Sequence, residues 1–250
     1  MIASTFTDLQ LLFHSKPLFV IASYRYFLIV RYPVTFYIIY YKNSNFEVTF
    51  MTDSELYINQ LDYENIEYRT HASNPEDEKF YKHGNISCAG CGLCSGSMVV
   101  SFLTGKQMGI ETFRDLAYSS RSNADVGTDM QIYSRARAEK FNLKTTSTDR
   151  IDDMIKCLTS GGAAIINVGG DHDDHIGIFS DVGHYIFAKG YDKSHNELEI
   201  LDPAYRKDKF SIPGRKEYVR ASNFTLYASP EAVALDTQNR DPAFYLFYAS

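Results

Sequence analysis

Between Gly92 and Leu158 apolar residues recur three and four apart, whereas from Ala163 onward they gather in short blocks. The polarity pattern therefore changes period part-way along the chain, from the spacing of a helix face to that of strands. The first region predicts four helices: Gly92 to Leu103, about Ile110 to Tyr118, a third opening at a capping box (Thr128 with Gln131) and running to about Phe141, and a fourth. The fourth has Ile151, Met154, Ile155 and Leu158 on one face and stops at Gly161 and Gly162. The second region predicts strands at Ala163 to Val168, His184 to Tyr191, Glu197 to Leu201 and Ala243 to Tyr248. Helices first and strands after them imply an α+β domain with a mostly antiparallel sheet.

One hairpin can be read to the level of register. Alternation in HYIFAKGY sets His184, Ile186 and Ala188 on one face and Tyr185, Phe187 and Lys189 on the other, and Asp192 to Asn196 turns the chain into ELEILDP. With Tyr191 facing Glu197, Lys189 stands opposite Glu199 as a cross-strand ion pair. Asp202 then shares the face of His184, one diagonal step away, roughly 7 to 8 Å between backbones. A slip of one residue would carry Asp202 to the opposite face.

Residues 1–50 follow another pattern. Leu18 to Tyr41 is almost wholly aromatic and aliphatic, and the first fifty residues carry net +2 in a chain of net −6. The greasy, basic residues 18–41 are the segment through which a membrane would be touched. Arg25 and Arg31 interrupt it, however, and the longest uncharged piece, Tyr32 to Tyr41, falls short of the roughly 20 residues that span a bilayer. Asp8 and the lack of a small-residue cleavage site argue against a secretory leader. Two buried strands, or an upstream segment ahead of a true start at Met51, are the alternatives. The location follows: membrane-associated or exported if the segment inserts, cytoplasmic if translation starts at Met51. The expected organisation is this segment followed by one domain over 51–250.

A chain of 250 residues can bury a sizeable core without staples, and four cysteines (Cys88, Cys91, Cys94, Cys157) are too few for a disulfide scaffold. The negative balance, with no basic run interleaved with aromatics, excludes a general affinity for nucleic acid.

Three of the four cysteines stand in CAGCGLCSGSMVV, Cys88 to Val100. As a cluster motif the run is incomplete, because position 97 is Ser97. A zinc site recruiting Cys157 or His83 would also depart from the usual two separated ligand pairs. The charged loop DHDDH, Asp171 to His175, reads as a solvated loop. No metal and no cofactor is assigned.

As a nucleophile, Cys91 is well placed: it precedes a predicted helix, whose positive end lowers a thiol pKa, and small residues follow it. Asn85, six residues earlier, could join the Cys91 backbone N–H as a two-donor oxyanion hole. His184 opening its strand and Asp202 on the same face complete a Cys/His/Asp set. Singly, each has a duller reading: a small buried thiol, a satisfied core histidine, a turn former before Pro203. Together they favour catalysis.

AGCGLCSGSMVVSFLTGK, GHYIFAKGYD and LDP, in this order, resemble bacterial papain-like cysteine peptidases related to bacteriocin-processing, double-glycine-leader peptidases, especially their stand-alone branch. The resemblance covers roughly Lys82 to Tyr205. It implies a papain-like fold, Cys91 as nucleophile, His184 as general base and acid, Asp202 as the orienter of the imidazole, and a peptide or unfolded protein segment as substrate. Leu93 stands where the family usually has proline, Cys94 where it has a small hydroxyl residue, and Asn85 where exporter-fused members have glutamine. Two other readings remain: an acyltransferase or amidase on the same triad, and a non-catalytic Cys-rich metal-binding domain.

Overall fold

In a computed structural model, which describes residues 27–32, 35–42 and 45–250, ten consecutive residues of the first long helix, Gly92 to Ser101, are buried. This helix, α1 (Cys91–Thr104), packs against two central strands, β5 (Ala163–Val168) and β6 (His184–Asp192). A helix covered on all sides needs small residues where neighbours come closest. A Cβ on Gly90, just ahead of α1, would overlap Ile86, and one on Gly96 would overlap the guanidinium of Arg137. Arg137 is itself fully buried, its guanidinium 4.3 Å from the Phe247 ring centroid and 5.1 Å from that of Tyr133.

The chain divides into two units, Met1–Leu56 and Tyr57–Ser250. In the first, β1 (Phe27–Tyr32), β2 (Thr35–Lys42) and β3 (Asn45–Met51) form an antiparallel sheet in sequence order, with Val30 opposite Tyr37 and Ile39 opposite Val48. Aromatic and β-branched residues account for the choice of strand over helix. Among the described residues no helix is long and apolar enough to cross a membrane. Residues 18–26 of the apolar run lie outside the described residues, and so does the expected burial of these strands, which rests on side chains of residues 1–50.

In the second unit the remaining strands are β4 (Leu143–Thr148), β7 (Glu197–Leu201), β8 (Val219–Ser222), β9 (Thr225–Ala228) and β10 (Phe244–Ala249). They make a seven-stranded sheet with β5 and β6, in the order β4-β10-β5-β6-β7-β9-β8, every neighbour antiparallel. Helices α1, α2 (Ile110–Ser120) and α3 (Met130–Phe141) lie together, and α4 (Ile151–Thr159) packs on β5, β6 and β10. With α5 (Pro230–Asp236), α4 encloses a core of Met154, Leu158, Ile166, Ile186, Leu198, Ile200, Val233 and Leu246. Helices on both faces explain why Ala163 to Ile166 of β5 read as an unbroken apolar run.

The expected α+β architecture with a mostly antiparallel sheet is the one found. Two local expectations are corrected. Asp129, not Thr128, caps α3, accepting the Ile132 N–H at 3.1 Å, while the Thr128 hydroxyl is hydrogen-bonded to Tyr68 Oη at 2.7 Å. In the β6–β7 hairpin Asp192, not Tyr191, faces Glu197, and Gly190, not Lys189, faces Glu199. A bulge between Ala188 and Gly190 absorbs that residue, so Ala188 faces Ile200 and Phe187 faces Leu201, as the expected register has them. Lys189 sits in the bulge and still reaches Glu199 at 3.0 Å.

Candidate active site

The chain approaches α1 through a turn, Ile86–Ala89, whose cap is Asn85: its Oδ1 accepts the Cys88 N–H at 2.9 Å. The turn ends at Gly90, and Cys91 opens α1 with its backbone N–H among those that have no partner inside a helix. Cys91 is half-buried, Cys88 exposed, and Cys94 and Cys157 buried, all four as free thiols. The one-turn spacing that α1 and its approach impose thus spreads the three neighbouring thiols from surface to core. Burial pushes the Cys94 thiol up, and the charge of Cys91 adds to the effect.

On the sheet side His184 is the first residue of β6, opposite Val168 of β5, and is only 7 % exposed. One ring nitrogen, Nε2, lies 2.7 Å from Asp202 Oδ1, and the ring also shares a side-chain hydrogen bond with Cys91. Imidazole has two nitrogens, so with Nε2 engaged the bond to sulfur falls to Nδ1. The hydroxyl of Ser95, one turn after Cys91, donates to the carbonyl of Tyr185 at 3.0 Å, which ties α1 to β6 next to both groups.

Asp202 has no exposed surface. Its Oδ1 also accepts the Ala204 N–H at 2.8 Å, and its Oδ2 accepts from Lys209 Nζ at 2.6 Å. Behind it, Tyr57 Oη donates to the Asp202 carbonyl at 3.0 Å, and the Gln60 N–H to the Pro203 carbonyl at 2.7 Å. The Gln60 side chain crosses to the Ser87 carbonyl at 2.8 Å, so one short segment grips both the Asp202 corner and the approach to α1.

The electrostatics follow from these contacts. Burial opposes ionisation of Asp202, but the Lys209 ammonium and the His184 imidazolium outweigh it and hold the carboxyl well below the usual range. Burial likewise opposes protonation of His184, but the Asp202 charge and hydrogen bond, helped by Cys91, raise it to about 9. For Cys91 burial works against the thiolate, yet the hydrogen bond and charge of His184, with the N–H groups of Tyr185 and Gly92, bring the thiol below its ordinary value. The group that should lose its proton is thus eased and the group that should hold it is strengthened.

Cys91, His184 and Asp202 are accordingly brought into one connected set, and Asn85 stands on the turn leading to it. Lys209, Ser95, Tyr57 and Gln60 escaped the sequence reading. Nothing in YRKDK distinguishes Lys209 from Lys207, because what sets it apart is the fold of the segment after Asp202. Ser95 carried only the signal of a polar residue at a helix position that faces the sheet.

The sequence profile of the Peptidase_C39 like family matches residues 57–224. The chain belongs to that family. The match begins at the first residue of the second unit and takes in every group of the site. No curated protein matches the chain in sequence. Among solved structures it is similar to the peptidase domain of Streptococcus ComA, a bi-functional ABC transporter involved in a quorum-sensing pathway. The identity is 16 %, over 65 % of this chain and 93 % of that one, with a TM-score of 0.41. It is also similar to a Bacillus anthracis protein assigned to the C39-like peptidases, at 10 % identity over 65 % of this chain and 90 % of that one, with a TM-score of 0.44. Membership in the Peptidase_C39 like family gives the second unit a papain-like fold and supports a peptidase hydrolase acting on peptide or protein.

Proposed function

We propose that the chain is a cysteine peptidase in which Cys91 is the nucleophile, His184 the general base and acid, and Asp202 the group that orients the imidazole. The observation that carries this reading is the single imidazole shared by a thiol of lowered pKa and a buried carboxylate 2.7 Å from Nε2. The Cys91 thiolate, paired with imidazolium, attacks the amide carbon. The carbonyl oxygen takes up negative charge and meets the Cys91 backbone N–H and the Asn85 carboxamide nitrogen, whose partner oxygen is already engaged in the cap. His184 gives its proton to the leaving amine, and an acyl-thioester forms. Water, deprotonated by His184, then releases the acid and regenerates the thiol. Asp202 stays ionised throughout.

The test is pH-dependent alkylation by iodoacetamide, mapped to individual cysteines, in wild type and His184→Ala. Cys91 is expected to react selectively at about pH 6, where an ordinary thiol of pKa near 8.5 is protonated, and to lose that advantage in the variant. Exposed Cys88 reacting as fast as Cys91 at that pH would overturn the assignment.

A further inference from the structure

The segment joining β5 to β6, residues 169–183, is held at many points. Its neck is closed by the Asp171 N–H on the Asp181 carbonyl at 3.0 Å, and by Arg240 on the carbonyls of Val168 and Gly169 at 3.1 and 2.9 Å. Buried Asp236 accepts the N–H groups of Ile178 and Phe179 at 2.8 and 3.1 Å, and Arg215 Nε donates to the Gly177 carbonyl at 2.8 Å. Asp171 Oδ1 takes the Gly177 N–H at 2.8 Å. The loop is thus anchored at its neck and at residues 177–179, while Asp171, Asp173 and Asp174 of DHDDH are exposed, in keeping with the sequence reading of a solvated loop.

Two histidines on this loop have unsatisfied ring nitrogens. His172 and His175 stack with ring centroids 4.4 Å apart and planes at 14°, the turn between them closed by the His172 N–H on the His175 carbonyl at 2.9 Å. The Nε2 atoms of both rings are buried and have no hydrogen-bond partner. Asp174 Oδ1 lies 2.7 Å from His175 Nδ1. A carboxylate on one imidazole nitrogen keeps the proton there and leaves the other nitrogen as a bare lone pair, the outer-shell arrangement common to metal-bound histidines. His172, Asp174 and His175 can each bring a ligand atom within 4.8 Å of the other two.

We propose that this loop is a binding site for a late first-row divalent cation, zinc above all, with His172 Nε2 and His175 Nε2 as ligands, Asp174 orienting His175, and water in the remaining positions. Imidazole nitrogen selects such ions over calcium and magnesium, which require oxygen donors. An ion lies in the plane of each ring that binds it, so binding turns the two rings out of their stack. The site stands in the loop that ends at His184, and an occupied site clamps the polypeptide that enters β6 there.

The test uses the full chain carrying Cys88→Ser and Cys91→Ser, which removes the two accessible thiols as competing zinc ligands. Zinc sulfate is titrated against a chromogenic chelator, with histidine-ring NMR followed in parallel. One zinc per chain is expected, together with shifted Nε2 signals of His172 and His175 and no response to calcium or magnesium. Affinity should fall at least tenfold in His172→Ala, in His175→Ala and in the milder His172→Gln, and about tenfold in Asp174→Asn. No zinc bound by the parent chain, or equal affinity in the parent and all three histidine variants, overturns the proposal.

Discussion

Lys209→Met isolates the cation behind Asp202. The ammonium lies 2.6 Å from Asp202 Oδ2 with both groups buried, and methionine keeps most of the aliphatic stem. At an effective dielectric of about 20 the attraction between unit charges at that distance is about 6 kcal/mol before desolvation is counted. Removing one partner of a buried pair costs about 3 to 5 kcal/mol, because the other charge stays buried. Asp202 keeps His184 and the Ala204 N–H, so the lower end applies, about 3 kcal/mol. In a protein of this size that lowers Tm by about 6 to 12 °C. A second effect has the opposite sense for the imidazole: with a positive charge gone from the far side of the carboxylate, His184 holds its proton more tightly, and its pKa rises above about 9. The assays are thermal unfolding and a histidine-ring NMR titration, with Lys209→Arg as the variant that retains the charge and both properties. A Lys209→Met protein that melts within 2 °C of the parent, with the His184 titration unmoved, would refute the view that Lys209 fixes the charge state of the site.

Asp202→Asn should let burial prevail at His184, bringing its pKa down from about 9 to below the ordinary 6.5, and should slow Cys91 alkylation at pH 6 by at least about tenfold; an unchanged rate would detach Asp202 from the site. Because His184 is raised from 6.5 to about 9, its contribution to stability, of the order of 3 kcal/mol, is complete below about pH 6.5 and lost as the pH rises through 9. Asp202, lowered from 3.8, contributes in full above that pH and loses its part on acidification, so Tm against pH should decline on both flanks, and the alkaline decline should vanish in His184→Ala. Gly96→Ala should destabilise by about 2 kcal/mol, read by urea unfolding, since the new methyl overlaps the buried guanidinium of Arg137 and overpacking cannot be relieved towards solvent. Ser95→Ala should cost about 1 kcal/mol and lower the alkylation selectivity of Cys91, by freeing α1 from the Tyr185 carbonyl.

The limits of legibility follow from what kind of contact fixed each element. The strand Ala163–Val168 and the start of β6 at His184 coincide with the sequence reading because apolar runs between turn signals are local information. β4 was invisible: LKTTST is an edge strand with Leu143 alone buried, and no alternation marks it. β8 and β9 have four residues each, too short for a period to register. The capping residue of α3 was misread by one position because the Thr128 hydroxyl answers to Tyr68, sixty residues upstream, and not to its own helix. The bulge at Lys189 likewise carries no sequence mark, and the predicted pairing holds only on the side of it where the site lies.

His184 and Asp202 were legible as a pair because they flank one hairpin, and a hairpin converts sequence separation into distance by local rules. Cys91 belongs to a different element, and nothing in the hairpin fixes how close it comes. That distance is set by contacts that look structural: Gly90 against Ile86, Ser95 on Tyr185, and Gln60 spanning Pro203 and Ser87. The charge balance is set the same way, by Lys209 on the oxygen of Asp202 that His184 does not use. The arrangement of three titratable groups therefore depends on at least as many groups outside the set. Substitutions among these should alter the pKa values and mutual reach of Cys91, His184 and Asp202 while leaving those three residues untouched.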